Sequence, residues 1–221
     1  HGRRVREAKK RLADFKGEVV ALSDLLDAEQ ERHRMLPHSD PDFATPMEGR
    51  TREAYEGVQS AIARYRERWL SLMDVWEKAD DTINAEWSLG SAKAEEAIRL
   101  LDAAGSRPPL DEVARDCRAP LDDLEHAHEK AREMAGSLGE LVAGTRKRAA
   151  GLAARGRSSA SFEGPIAAVD RALSQARQEV EPDPLSARAR MEEARSALDA
   201  QIARLEACEG LDDRRGQTAR R

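Results

Sequence analysis

The sequence predicts an all-α protein, an elongated antiparallel helical bundle or coiled coil of about five helices. Three observations carry that expectation. Charged residues make up 36% of the 221 and aromatic residues only 4%, the composition of long helices rather than sheets. Apolar residues recur at alternating steps of three and four, the spacing of a helical seam. Proline and glycine cluster at a few sites and divide the chain into long helical segments.

The first seam runs Val5, Ala8, Leu12, Phe15, Val19, Leu22, Leu26 and fades near His33. Pro37 ends it. Residues 35–45 form a loop with Pro37 and Pro41, from which Leu36 and Phe43 are placed to fold back onto the bundle end. Thr45, Pro46 and Glu48 together read as a helix start, with a capping threonine, proline at the first helical position and glutamate three residues on.

The second helix has the clearest pattern: Tyr55, Val58, Ile62, Tyr65, Trp69, Leu72, Trp76, Ala79 and Ile83. Its composition stays helical to Ala104, with Gly90 as a weak point and Ser91 as an alternative new start. A further helix restarts at 110–117, is kinked or restarted by Pro120, and continues as Leu121, Leu124, His128, Ala131, Ala135, Leu138, Val142, Thr145, Ala149, Leu152. Residues 155–161 are a loop. Ile166 to Val180 give a fourth helix, and Glu181-Pro182-Asp183-Pro184 a tight turn with Asp183 as cap. Leu185 to Leu205 give the fifth helix.

Short loops make sequential helices antiparallel. The unequal lengths predict a bundle thick at one end, with residues near 85–130 projecting as a two-helix arm. The expected organisation is one helical domain over 1–208, with a sub-division into 1–157 and 161–208, followed by a disordered tail at 209–221.

The net charge is −5, unevenly spread. Residues 1–11 sum to +5 through Arg3, Arg4, Arg6, Lys9, Lys10 and Arg11, and the last ten residues to +2, so the body between carries −12. Such a body is poorly suited to wrapping nucleic acid. The basic start is a candidate contact for an anionic surface, a lipid surface better than nucleic acid. It also matches the flank that often follows a membrane helix on its cytoplasmic side. Cys117 and Cys208 lie in no motif and read as reduced thiols of a cytoplasmic protein, with a single disulfide between helices as the alternative.

No catalytic constellation is present. Gly-rich phosphate loops, a nucleophile elbow and a Cys/His dyad are missing from the sequence. His126 and His128 stand two apart on a helix and cannot share one ion. Glu125 and His128 fit the Glu-x-x-His spacing once, where a di-metal bundle needs it twice. The expectation is a protein without enzymatic activity, cofactor or metal. The aromatic column on the second helix serves as core, but Trp87, Trp76 and Leu89 form a candidate partner interface, because aromatic anchors dominate interfaces.

The basic start, the heptad-spaced Trp69 and Trp76, and the Asp183-Pro184 helix hairpin resemble spectrin-like helical repeats. They are similar in particular to the cytoplasmic helical regions of membrane-anchored bacterial division-ring regulators. That resemblance implies a scaffold or adaptor that binds protein partners and is tethered to the inner face of a membrane. A seam satisfied within the chain gives a monomer. Leftover apolar surface gives a homodimer.

Overall fold

Heptad-spaced apolar residues can be buried only against other helices, and the computed structural model shows where. It describes residues 2–36, 46–84, 91–103, 108–156 and 158–218, the side chains of 91 and 212–218 excepted. Every regular element among them is helical: α1 (Gly2–Met35), α2 (Gly49–Asn84), α3 (Ser91–Ala103), α4 (Leu110–Val113), a π-helical turn (Ala114–Arg118), α5 (Ala119–Glu125), α6 (Ala127–Ala154), α7 (Ala160–Glu179) and α8 (Pro184–Thr218). The chain divides into two compact units. One comprises His1–Asp42 and Ala54–Asp123, the other Phe43–Glu53 and Leu124–Arg221. The sub-division expected between 157 and 161 falls instead between two helices of the second unit.

The first unit is an up-down-up three-helix bundle. Trp69 Nε1 donates to the Val19 carbonyl at 3.2 Å, and His33 meets the Tyr55 carbonyl at 3.1 Å, so α1 and α2 run antiparallel. Arg11 pairs with Asp102 and Arg118 with Glu29, so the third helical run, α3 to α5, is parallel to α1. Ala8, Leu12, Ala79, Ile83, Ala94, Ala97 and Leu101 form one buried cluster.

That cluster corrects two expectations. α3 runs back along α1 rather than onward in line with α2, so residues 91–103 belong to the bundle and not to an unpaired arm. α2 ends at Asn84, α3 begins at Ser91, and α3 packs on the first turns of α1. The physical reason lies in α1: Val5, Ala8 and Leu12 present an apolar stripe that needs covering, and Ala94, Ala97 and Leu101 supply it.

The second unit repeats the topology with α6, α7 and α8. Arg146 pairs with Asp170 and Arg177 donates to the Ala135 carbonyl, which makes α6 and α7 antiparallel. Glu179 meets Arg190, so α7 and α8 are antiparallel as well. The core runs through Leu138, Leu152, Leu173, Met191, Leu198 and Leu205, each at most 1% exposed. Burying each such side chain contributes about 1.5–3 kcal/mol.

Three local features refine or correct the sequence expectation. The seam of α6 runs through Ala127 and Ala131, and His128 stands beside it, half-buried, with Nε2 3.1 Å from the Glu181 carbonyl. Pro120 stands in the first turn of α5, the fresh start that the sequence offered, directly after the π-helical turn. The turn before it widens, with the Ala119 N–H reaching the Ala114 carbonyl five residues back. Proline lacks an N–H and crowds the carbonyl four residues earlier, and a π turn accommodates both defects. The tail is not disordered from 209: α8 continues to Thr218, held in part by Arg148 on Glu206 and Glu209. Leu36 is buried as expected, at 4% exposure, whereas Phe43 and Thr45 lie outside the described residues.

Candidate functional site

Three polar constellations are built into the helices. The first closes the start of α2. The turn between α7 and α8 places Asp183 so that one carboxylate caps two helices. Oδ1 accepts from the Ser186 N–H at 3.1 Å, the first turn of α8. The same carboxylate accepts from the Arg50 and Thr51 N–H groups of α2, both at 3.1 Å, and from the Thr51 hydroxyl at 2.8 Å. Thr51 returns a bond through its hydroxyl oxygen to the Leu185 N–H. Gly49 stands at φ +49°, and a Cβ there would lie 1.9 Å from an Asp183 oxygen. The cap expected from nearby Thr45 is thus supplied from 132 positions away, and the helix begins at Gly49 rather than Pro46. Burial pushes the Asp183 carboxyl up, but bonds from Ser186 and Thr51 outweigh it and hold the group below the usual carboxylate range.

The second constellation sits in the first unit. Glu29 is 1% exposed. One oxygen takes Arg118 Nε and the other Arg32 Nη1, both at 2.8 Å, and Arg32 also pairs with Asp122. One turn on, His33 is buried with its ring 4.1 Å from that of Tyr55. Its pKa is depressed because burial disfavours the charged ring. Between that pKa and about 6.5 the unfolded chain binds a proton that the folded chain refuses. Stability is therefore expected to rise with pH across this window. Urea denaturation at a series of pH values should show a shallower slope for His33→Phe than for the wild type.

The third lies at the π turn. The Tyr65 hydroxyl donates to Asp116 Oδ2 at 2.7 Å, and Arg64 joins the same oxygen at 2.9 Å. Arg115 on one side and the Tyr65 hydroxyl hold the Asp116 carboxyl below its usual range. Tyr65 is pushed up by burial and by the bond to Asp116. Cys117 is fully buried, and burial followed by the nearby Asp116 charge raises its thiol to about 11. Cys208 is exposed. In native protein at pH 8, a disulfide-exchange reagent should modify one thiol per chain rapidly and the second only on unfolding, since the thiolate is the nucleophile. Cys208→Ser should remove the fast phase.

These groups saturate one another. A nucleophile poised beside a base and an open cavity is not formed by any of them, and no three His, Cys, Asp or Glu side chains converge for a metal among the described residues. The second unit has an open groove of about 610 Å³ between α6 and α8, lined by Leu141, Gly144, Thr145 and Ile202 with Glu140, Arg148 and Arg195.

The residues singled out from sequence fall in different settings. Trp76 is half-buried against the α1–α3 cluster, with Lys16 Nζ 4.4 Å from its ring centroid and Nε1 buried without an acceptor. Trp87 and Leu89 lie outside the described residues. Arg3, Arg4, Arg6, Lys9, Lys10 and Arg11 are all exposed on α1. Arg4 pairs with Glu95 and Arg11 with Asp102 and Glu7, whereas Arg6 Nε turns back to the Gly2 carbonyl. No helix among the described residues is long and apolar enough to cross a membrane. Comparison of the chain with family models, curated proteins and solved structures gives no match.

Proposed function

We propose that this chain is a non-catalytic scaffold or adaptor of the spectrin-like kind, acting through helix-mediated contacts with protein partners. In this reading it is the cytoplasmic part of a membrane-anchored protein. The observation that carries it is the destination of the polar side chains. Glu29, Asp116 and Asp183 each bind helices together, through arginines, a tyrosine or backbone N–H groups. An enzyme keeps such groups poised toward a cavity and leaves them incompletely satisfied. Here they brace two successive bundles of the same topology.

The partner interface assigned to this role is Trp87, Trp76 and Leu89. Trp76 packs half-buried against the core cluster of the first unit, with Lys16 over its ring. The test places a photo-crosslinking amino acid at 87 and, separately, at 89 of the chain expressed in its source cell. Crosslinks to defined proteins, lost when the other position is changed to Ser while the thermal melt is unchanged, support the reading. A small-molecule cofactor released on denaturing the purified protein, or turnover abolished by Tyr65→Phe, overturns it.

A further inference from the structure

We infer that the outer face of α1 over residues 3–10 is a docking face for an anionic lipid bilayer surface. The proposal adds to the scaffold reading and does not depend on it. Ala8, Leu12 and Val19 are buried and fix which side of α1 faces the bundle. With 100° per residue, Arg3, Arg6 and Lys10 lie on the opposite side, and Lys9 on its flank. All four are exposed. Arg3, Lys9 and Lys10 have no ion-pair partner among the described residues, in contrast to Arg4 and Arg11, which turn toward Glu95 and Asp102. The same side holds Glu7, which turns toward Arg11, and Asp14, so the cationic stretch ends at Lys10.

A flat anionic surface fits these observations better than nucleic acid. The cations occupy one ridge of one helix, and residues 12–211 carry −12, which would repel a polyanion that wraps. A bilayer contacts a single face and leaves the acidic body in solvent. Each cation brought near such a surface raises partitioning about fivefold.

The test is cosedimentation of the full chain with vesicles of phosphatidylcholine alone and with 30% phosphatidylserine. Binding is expected only to the anionic vesicles, and it should fall steeply with added salt. The variant Arg3→Gln/Arg6→Gln/Lys9→Gln/Lys10→Gln should bind more than 100-fold more weakly. A control, Lys78→Gln/Lys130→Gln/Lys147→Gln/Arg171→Gln, makes the same change in net charge elsewhere and should bind as the wild type does. Unchanged circular dichroism of both variants keeps folding out of the comparison. Absence of binding to anionic vesicles, equal loss in both variants, or tighter salt-sensitive binding to duplex DNA than to vesicles overturns the proposal.

Discussion

Asp183→Ala is expected to lower stability by about 2–4 kcal/mol, since a lost cap typically costs about 1 kcal/mol and this residue caps two helices while buried. Its side chain is 7% exposed, so water cannot replace the lost acceptor freely at Arg50, Thr51 and Ser186. Asp183→Asn should cost less, because the amide oxygen still accepts. Gly49→Ala should approach the alanine variant at 183, since a left-handed backbone and a clash with the Asp183 carboxylate act together. The carboxyl has its pKa depressed in the folded state. Its contribution is therefore complete above about pH 3.9, the unfolded value, and is lost as pH falls through the folded value. Chemical denaturation at pH 7 and acid titration of wild type against Asp183→Asn measure both effects. Equal acid midpoints for the two proteins would contradict the assignment.

Removing both arginines from Glu29 is expected to cost about 3–5 kcal/mol, the penalty for leaving a buried charge without its partners. Arg32→Ala or Arg118→Ala alone should cost about 1–3 kcal/mol, because the remaining guanidinium still pairs. The charge itself is dispensable in this account. Glu29→Leu is isosteric enough to pack among its helical neighbours, and both arginines can turn to solvent from positions 28% and 51% exposed. Glu29→Leu should therefore be close to neutral and should rescue Arg32→Ala/Arg118→Ala. Urea denaturation of the four proteins forms the cycle. An unrescued triple variant would mean that the arginines act by something other than neutralising Glu29.

The helices were legible wherever apolar spacing persists, and the misreadings have local causes. Leu22 and Leu26 extrapolate by steps of three and four to Glu29 and His33, and both are buried. The seam appeared to fade because its next members are polar, so the residue type hid a continuing core. Gly90 lies outside the described residues, and Ser91, the alternative new start, begins a helix. What spacing cannot give is which stripe covers which. Ala94, Ala97 and Leu101 look like a continuation of one helix until the exposed start of α1 is seen to require them.

The polar constellations were less legible, because they join residues far apart in sequence. Tyr65 was read as seam, which it is at 5% exposure, but its hydroxyl partner sits 51 positions on. The π turn left one sequence signal, Pro120, whose cost fell on the turn before it. Asp183 was recognised as the cap of α8, and nothing in the local pattern announced its second client. The basic residues of α1 were visible from composition alone, whereas their division into paired and free required the neighbouring helices.

The double cap also orders events in time. A ribosome adds roughly 5–20 residues per second, so the 132 positions between Thr51 and Asp183 take on the order of ten seconds to synthesise. Throughout that interval the first turn of α2 carries amide groups whose acceptor does not yet exist. The nascent chain can complete its first bundle from Ala54 onward, but residues 49–53 must wait for the last helical hairpin to emerge. The beginning of α2 is among the earliest parts of the chain to be made and among the last to be finished.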